Sequence, residues 1–243
     1  MNQFKYILIV FVLLIGCKRA DDIVTSYGKD TEQTRQVGNF RAISAGEKFD
    51  IFLIQDSALA GTVKMTAGEH VIDGYVSEVR NGVLVLENIN KYNWVRKLRV
   101  RQKAIIYFKN LDSLSIRGSA KFTSKDPIIQ QNEFKIIHNG LENVELTIYT
   151  NDINVRGENT GGIILHGKCN IYRGNADDIS FVDNRDLITD DTYFNSFSQE
   201  DSYVNAKNIL GLKVFGNGNI YYISTPSNKS LFERYGKGDI ILK

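Results

Sequence analysis

Leu212-Lys213-Val214-Phe215-Gly216-Asn217-Gly218-Asn219-Ile220-Tyr221-Tyr222-Ile223 holds the pattern that the rest of the chain repeats. Apolar side chains stand at Leu212, Val214, Ile220 and Tyr222, a period of two that specifies a half-buried strand. Gly216 and Gly218 lie between them, where backbone must bend or approach another segment closely. The pattern returns over residues 232–242, with Gly236, Gly238 and Ile240 in the places of Gly216, Gly218 and Ile220. The step is 20 residues.

Upstream, Leu114, Ile116, Gly118, Ala120 and Phe122 set out the same order of apolar, glycine and small residues. Near-matches follow at Phe134, Ile136 and His138, at Ile153, Val155 and Gly157, and at Leu165, Gly167, Cys169 and Ile171. The copy through Ile179, Phe181, Asp183 and Leu187 has lost its glycines. Strand–turn units recurring in one order predict an all-β solenoid, a parallel β-helix whose coils stack on one another. A β-sandwich is the competing architecture, because its strands also recur with turn signals between them. Residues 37–110 show strands at short spacing without a strict repeat, and Asn81-Gly82 is a tight-turn signal before Val83.

Composition agrees with an all-β chain. Isoleucine, asparagine, glycine and tyrosine are plentiful, there are only two prolines, and no long apolar stripe of helical period occurs. A length of 243 residues suffices for one domain with a substantial core.

Residues 1–16 read as a targeting signal: Lys5 supplies a positive charge, and the apolar run 6–15 is too short to span a bilayer as a helix. The ending Leu14-Ile15-Gly16-Cys17 resembles a bacterial lipoprotein signal, in which Cys17 is lipidated and becomes the new N-terminus. Residues 17–36 are poor in apolar side chains and mixed in charge, which predicts a flexible tether, leaving 37–243 as the folded domain. Asp21-Asp22 resembles tags that route lipoproteins to the outer face of the outer membrane. The expected address is the cell envelope, on the surface or periplasmic face of the outer membrane, with the lipid on Cys17 as the membrane contact. Removing Lys5 with the signal lowers the net charge from +2 to +1, which gives no argument for a nucleic-acid partner. Cys169, without a second cysteine to pair with in the mature chain, reads as a small buried apolar residue.

At Phe215-Gly216-Asn217-Gly218-Asn219-Ile220-Tyr221-Tyr222 the chain resembles the Gly-x-Gly-x-Ile-Tyr-Tyr signature of the head GIN domain family, whose members are called auto-transporter adhesins. Phe40-Arg41-Ala42-Ile43, Phe49-Asp50-Ile51, the segment 81–86 and Leu111 through Ala120 fit in the same order. The resemblance implies a right-handed β-helix on a lipid-anchored or exported protein, no established catalytic residues, and adhesion as the suggested role. Gly118, Gly216, Gly218, Ile220, Tyr221, Tyr222, Gly236 and Gly238 are the structural motif. Ser224-Thr225-Pro226 departs from the family pattern in lacking a glycine before the proline.

Candidate chemistry is sparse. His70, His138 and His166 stand at no metal-ligand spacing and read as turn or surface residues. No nucleophile elbow or phosphate-cradling loop occurs, and no cofactor is called for. Asp177, Asp178 and Asp183, with Asp186, Asp190 and Asp191 nearby, are weak calcium candidates set against solvated turns. Lys97, Arg99, Arg101 and Lys103 alternate close to Trp94, so a strand would put them on one face able to bind an anion. The leading expectation is a non-enzymatic binding or adhesion module for a glycan or protein. A polysaccharide lyase or hydrolase and a structural envelope component are the alternatives. The glycines of the signature serve the bend, so function is expected on faces built by other residues.

Overall fold

The structure is a computed structural model that describes residues 27–91 and 101–243. Strands Val144–Asn159, Gly162–Ala176, Leu187–Ser196, Ile209–Val214 and Asn228–Arg234 stack in parallel, each over the one before. Val155, Gly174, Phe194, Leu212 and Phe232 form one column of this stack, at steps of 19, 20, 18 and 20 residues. A second parallel series runs through Phe181–Asp183, Ser202–Val204, Ile220–Tyr222 and Ile240–Leu242. The result is an all-β solenoid of about six turns in a single domain. Its parallel register excludes the sandwich.

Alternation decides which side chains fill the interior. Leu212, Val214 and Ile220 are wholly buried and Tyr222 nearly so, while Lys213 and Tyr221 between them face out. Columns of Ile, Leu, Val and Phe continue this core from Ile43 to Ile220. Cys169 lies inside it as a free thiol, and burial pushes its pKa up to about 12, so it is inert as a nucleophile.

The N-terminal end is built differently. Strand Asp30–Gln36 pairs antiparallel with Thr62–Gly68, which pairs antiparallel with Gln102–Phe108. Tyr75–Arg80 and Val83–Asn88 form a hairpin through Asn81-Gly82, both at positive φ (51° and 78°), as a two-residue turn of this hand requires. These antiparallel strands cover the parallel edge of the first coils, a device against edge-to-edge pairing.

Two expectations need correction here. Residues 30–36, assigned above to the tether, are a strand. Its half-buried side of Thr31, Gln33 and Arg35 carries no apolar residue, so periodicity could not reveal it. Arg35 nevertheless donates to the carbonyls of Ile72 and Tyr75 and to the Ser77 hydroxyl. The degenerate coil is also out of phase with its sequence reading: Ser180, Val182 and Asn184 point in, while Ile179 is exposed. Its neighbours set that register, since Val182 and Asp183 must sit under Ser202 and Tyr203.

Candidate functional site

The signature glycines are corners, as expected. A β-carbon on Gly216 would lie 2.0 Å from the Ser198 carbonyl oxygen, and one on Gly218 would lie 2.0 Å from that of Glu200. The chain therefore crosses the previous coil at a separation that only glycine permits. Because these glycines face inward, the residues alternating with them face out.

Three successive coils then present one outward order. Phe197, Gln199, Asp201 and Tyr203 on the first lie beneath Phe215, Asn217, Asn219 and Tyr221 on the second, and Tyr235, Lys237, Asp239 and Ile241 follow on the third. Phe197 and Phe215 stack at 4.4 Å between centroids, and Phe215 and Tyr235 at 4.8 Å, with planes within 8° of parallel. Tyr203 and Tyr221 form a second stack at 5.1 Å. Asn217 donates to Gln199 across one coil step, and the backbone amides of Asn219 and Asp239 donate to the Asp201 and Asn219 side chains below them. Rings and amides thus hold one another in a comb running along the solenoid axis.

Charge is distributed at the rims of the comb. Arg185 lies 4.6 Å over the Tyr203 ring, and Lys243 lies 4.8 Å from Tyr203 and 5.3 Å from Tyr221. Arg185 also forks onto Asp183. Burial opposes ionisation of Asp183, but the hydrogen bonds from Arg185 outweigh it and hold the carboxyl below its usual range. The Tyr235 hydroxyl donates to Glu233, which raises the phenol and lowers the carboxyl. Stacked rings turn their edges to solvent, and an aromatic edge carries the positive end of the quadrupole. The comb is therefore a surface for oxygen-rich ligands, with rings repeated at the strand spacing of about 4.8 Å, amides on two coils and carboxylates at Asp201 and Asp239.

The sites expected from sequence fare differently. Cys17, Trp94, Lys97 and Arg99 lie outside the described residues. Arg101 does not present a free charge: it is paired with Asp50 at 2.6 Å and Glu142 at 2.9 Å, and it donates to the carbonyls of Phe49 and Ser119. It is a structural tie between coils, because a half-buried guanidinium has to satisfy its fork. Lys103 is exposed, in register with the same Asp50. Asp177, Asp178 and Asp183 do not converge. Asp183 is taken by Arg185, Asp178 accepts from the Asn159 amide, and among the described residues no three potential ligands come together to hold a metal.

His138 is not a surface residue. It is fully buried, bonded through Nε2 to the Glu142 carbonyl at 2.7 Å, and Nδ1 accepts from the Gly140 amide. Gly161 makes room for it, since a β-carbon there would lie 2.1 Å from the imidazole. His166 sits on the outer sheet face between Glu145 at 3.5 Å and Asp186 at 3.4 Å.

The comb went unread in the sequence, although its alternate residues were in plain view. The signal that could have found it is Phe-x-Gln-x-Asp-x-Tyr over 197–203 set against Phe-x-Asn-x-Asn-x-Tyr over 215–221, once an 18-residue step is allowed.

The family described as Putative auto-transporter adhesin, head GIN domain, matches residues 39–226. The fold is similar to that of a putative adhesin from Bacteroides fragilis at 20% identity and a TM-score of 0.82, covering 88% of this chain and 97% of that one. A putative lipid binding protein from Parabacteroides distasonis aligns at 18% identity and a TM-score of 0.66, covering 89% and 97%. A putative adhesin from Parabacteroides merdae aligns at 14% identity and a TM-score of 0.62, again covering 89% and 97%. No curated protein matches this chain. At these identities the likeness speaks for the fold.

Proposed function

This chain belongs to the head GIN domain family, described as Putative auto-transporter adhesin, and on that premise we propose that it is a non-enzymatic binding module of the cell envelope. In this reading it is held in the outer membrane by lipid on Cys17 and binds a linear glycan along its comb. The observation that carries the reading is the stack of three rings, Phe197, Phe215 and Tyr235, along one axis, flanked by amides on the first two coils and by Asp201 and Asp239 on the first and third. A polymer lying parallel to that axis meets an aromatic ring on each coil, with polar side chains beside it. Tyr and Phe held in stacks contribute contact area without further loss of side-chain freedom on binding.

An enzyme is the weaker reading. Hydrolysis or elimination needs an acid and a base converging on one bond in a groove. An open cleft of about 410 Å³ is lined by Arg41, Asn110, Ile129, Gln130, Gln131 and Asn132, and Arg41 in it is bound to Asp112. That lining holds no carboxylate.

The test is a glycan array probed with the full chain carrying Cys17→Ser, scored for both retention and cleavage. Retention without cleavage, lost in Phe197→Ala/Phe215→Ala/Tyr235→Ala, is expected. Cleavage of a retained glycan, retention that survives the triple variant, or no retention at all would each overturn the assignment.

A further inference from the structure

The N-terminal part of the sheet carries a second surface. Lys64, Lys103 and Lys121 lie on neighbouring strands, in register through Lys64↔Ile105, Phe52↔Ile105 and Lys103↔Asp50↔Lys121, with Lys125 just beyond. Lys103, Lys121 and Lys125 are exposed and Lys64 is half-buried. Lys103 and Lys125 each stand 5.6 Å from the centroid of Phe52, and Lys64 stands 5.9 Å from that of Tyr107. A ring orients an ammonium but does not cancel its charge. Asp50, the acid between Lys103 and Lys121, is already bound by Arg101. Among the described residues none of the four lysines makes an ion pair; Asp30, Glu32 and Glu145 stand at the borders of this face, and Glu142 is taken, like Asp50, by Arg101. Between Lys121 and Phe52 is a shallow cleft of about 140 Å³, lined also by Asp50 and Thr123. Four like charges on one flat face repel, and an array of phosphates would relieve that repulsion.

The position of the face says where such phosphates lie. Strand Asp30–Gln36 pairs directly with the strand that carries Lys64. The chain from Cys17 to Asp30 can extend at most about 45 Å. A lipid on Cys17 would therefore attach the solenoid by this end, within that reach of the bilayer, with the comb at the other end. We propose that the Lys64–Lys103–Lys121–Lys125 face docks on the headgroups of anionic phospholipids and orients the solenoid on its membrane. The inference rests on the lipid-anchor part of the reading above for its location, whereas the binding itself is independent of the anchor.

The full chain carrying Cys17→Ser, and so without lipid, is sedimented with vesicles of phosphatidylcholine containing 30% phosphatidylglycerol, or of phosphatidylcholine alone. A lysine near an anionic surface contributes a factor of about five in partitioning. Binding to the anionic vesicles only is expected, falling at least tenfold in Lys64→Gln/Lys103→Gln/Lys121→Gln/Lys125→Gln and fading as salt shortens the screening length below about 8 Å. Lys121→Gln/Lys125→Gln should weaken binding, whereas Lys168→Gln/Lys207→Gln, with the same net charge, should not. The proposal is overturned if the two vesicle types bind alike, if both double variants behave alike, or if only soluble polyphosphate binds. Loss of palmitate labelling at Cys17 is read separately and would remove the anchor without touching the vesicle result.

Discussion

Gly236 stands directly above Gly216: a β-carbon on Gly236 would lie 2.1 Å from the Gly216 carbonyl oxygen. Gly216 stands in the same relation to Ser198, one coil earlier. A methyl group at Gly216 must push apart coils that are packed on both sides of it, whereas among the described residues no coil stacks over Gly236. Gly216→Ala should destabilise by about 2–3 kcal/mol, the scale of overpacking a tight site, and Gly236→Ala by less. Urea unfolding of the two variants checks the order, and equal losses would mean that coil contact is not what these glycines serve.

Where coils repeat with glycine corners, the sequence disclosed the fold, and the 20-residue step from Leu212 to Phe232 is a ladder pair in the structure. The Asn81-Gly82 hairpin was equally legible, because its turn chemistry is local. Legibility failed where polar residues point inward. Ser180, Asn184, Ser196, Ser198 and Ser202 are all buried, so the coils around residues 180–202 lack the apolar period that would declare their phase. The repeat places Ile171 after Cys169, but the inward phase shifts between them and Tyr172 takes the interior place. Arg101 shows the same limit for the site. Its alternation with Lys103 is real, but the partners that neutralise it, Asp50 and Glu142, come from coils far away in sequence.

Tyr172 and Asn184 put polar atoms into this interior without settling them. The Tyr172 hydroxyl and both polar atoms of the Asn184 amide are buried without a well-formed hydrogen bond, and burial pushes the Tyr172 phenol up, against the nearby Asn184 amide, which lowers it. A buried unpaired group costs about 1–3 kcal/mol. Tyr172→Phe removes one such group and leaves the ring in place, so stability should stay level or rise by about 1 kcal/mol. A clear loss on denaturant unfolding would show that the hydroxyl has a partner in solution, such as an ordered water.

His138 predicts a pH dependence. Desolvation by burial lowers its pKa from the ordinary 6.5, against the two backbone contacts that favour the charged ring. The folded chain therefore resists a proton that the unfolded chain accepts, and stability falls as pH drops below about 6.5 towards the folded-state value. Above 6.5 this group contributes no slope. His138→Gln, which can keep a donor for the Glu142 carbonyl, should flatten that part of the profile between pH 7 and 5. An unchanged slope would place the acid sensitivity elsewhere.

The stack of Phe197, Phe215 and Tyr235 makes the last claim testable on its own terms. Phe215 is the middle ring, with a neighbour on each face at 4.4 and 4.8 Å. Aromatic pairs contribute roughly 0.5–1.5 kcal/mol each beyond burial, and partial exposure puts these near the lower end. Phe215→Ser should therefore lower stability by about 1–2 kcal/mol, whereas Phe215→Tyr keeps the ladder and should unfold like the parent chain. If the comb is a binding surface made rigid by stacking, Phe215→Ser should also weaken glycan retention on the order of tenfold, measured below its own unfolding range. Phe215→Tyr should retain glycan normally. Loss of stability with retention intact would separate the two roles and leave the stack as a structural ladder alone.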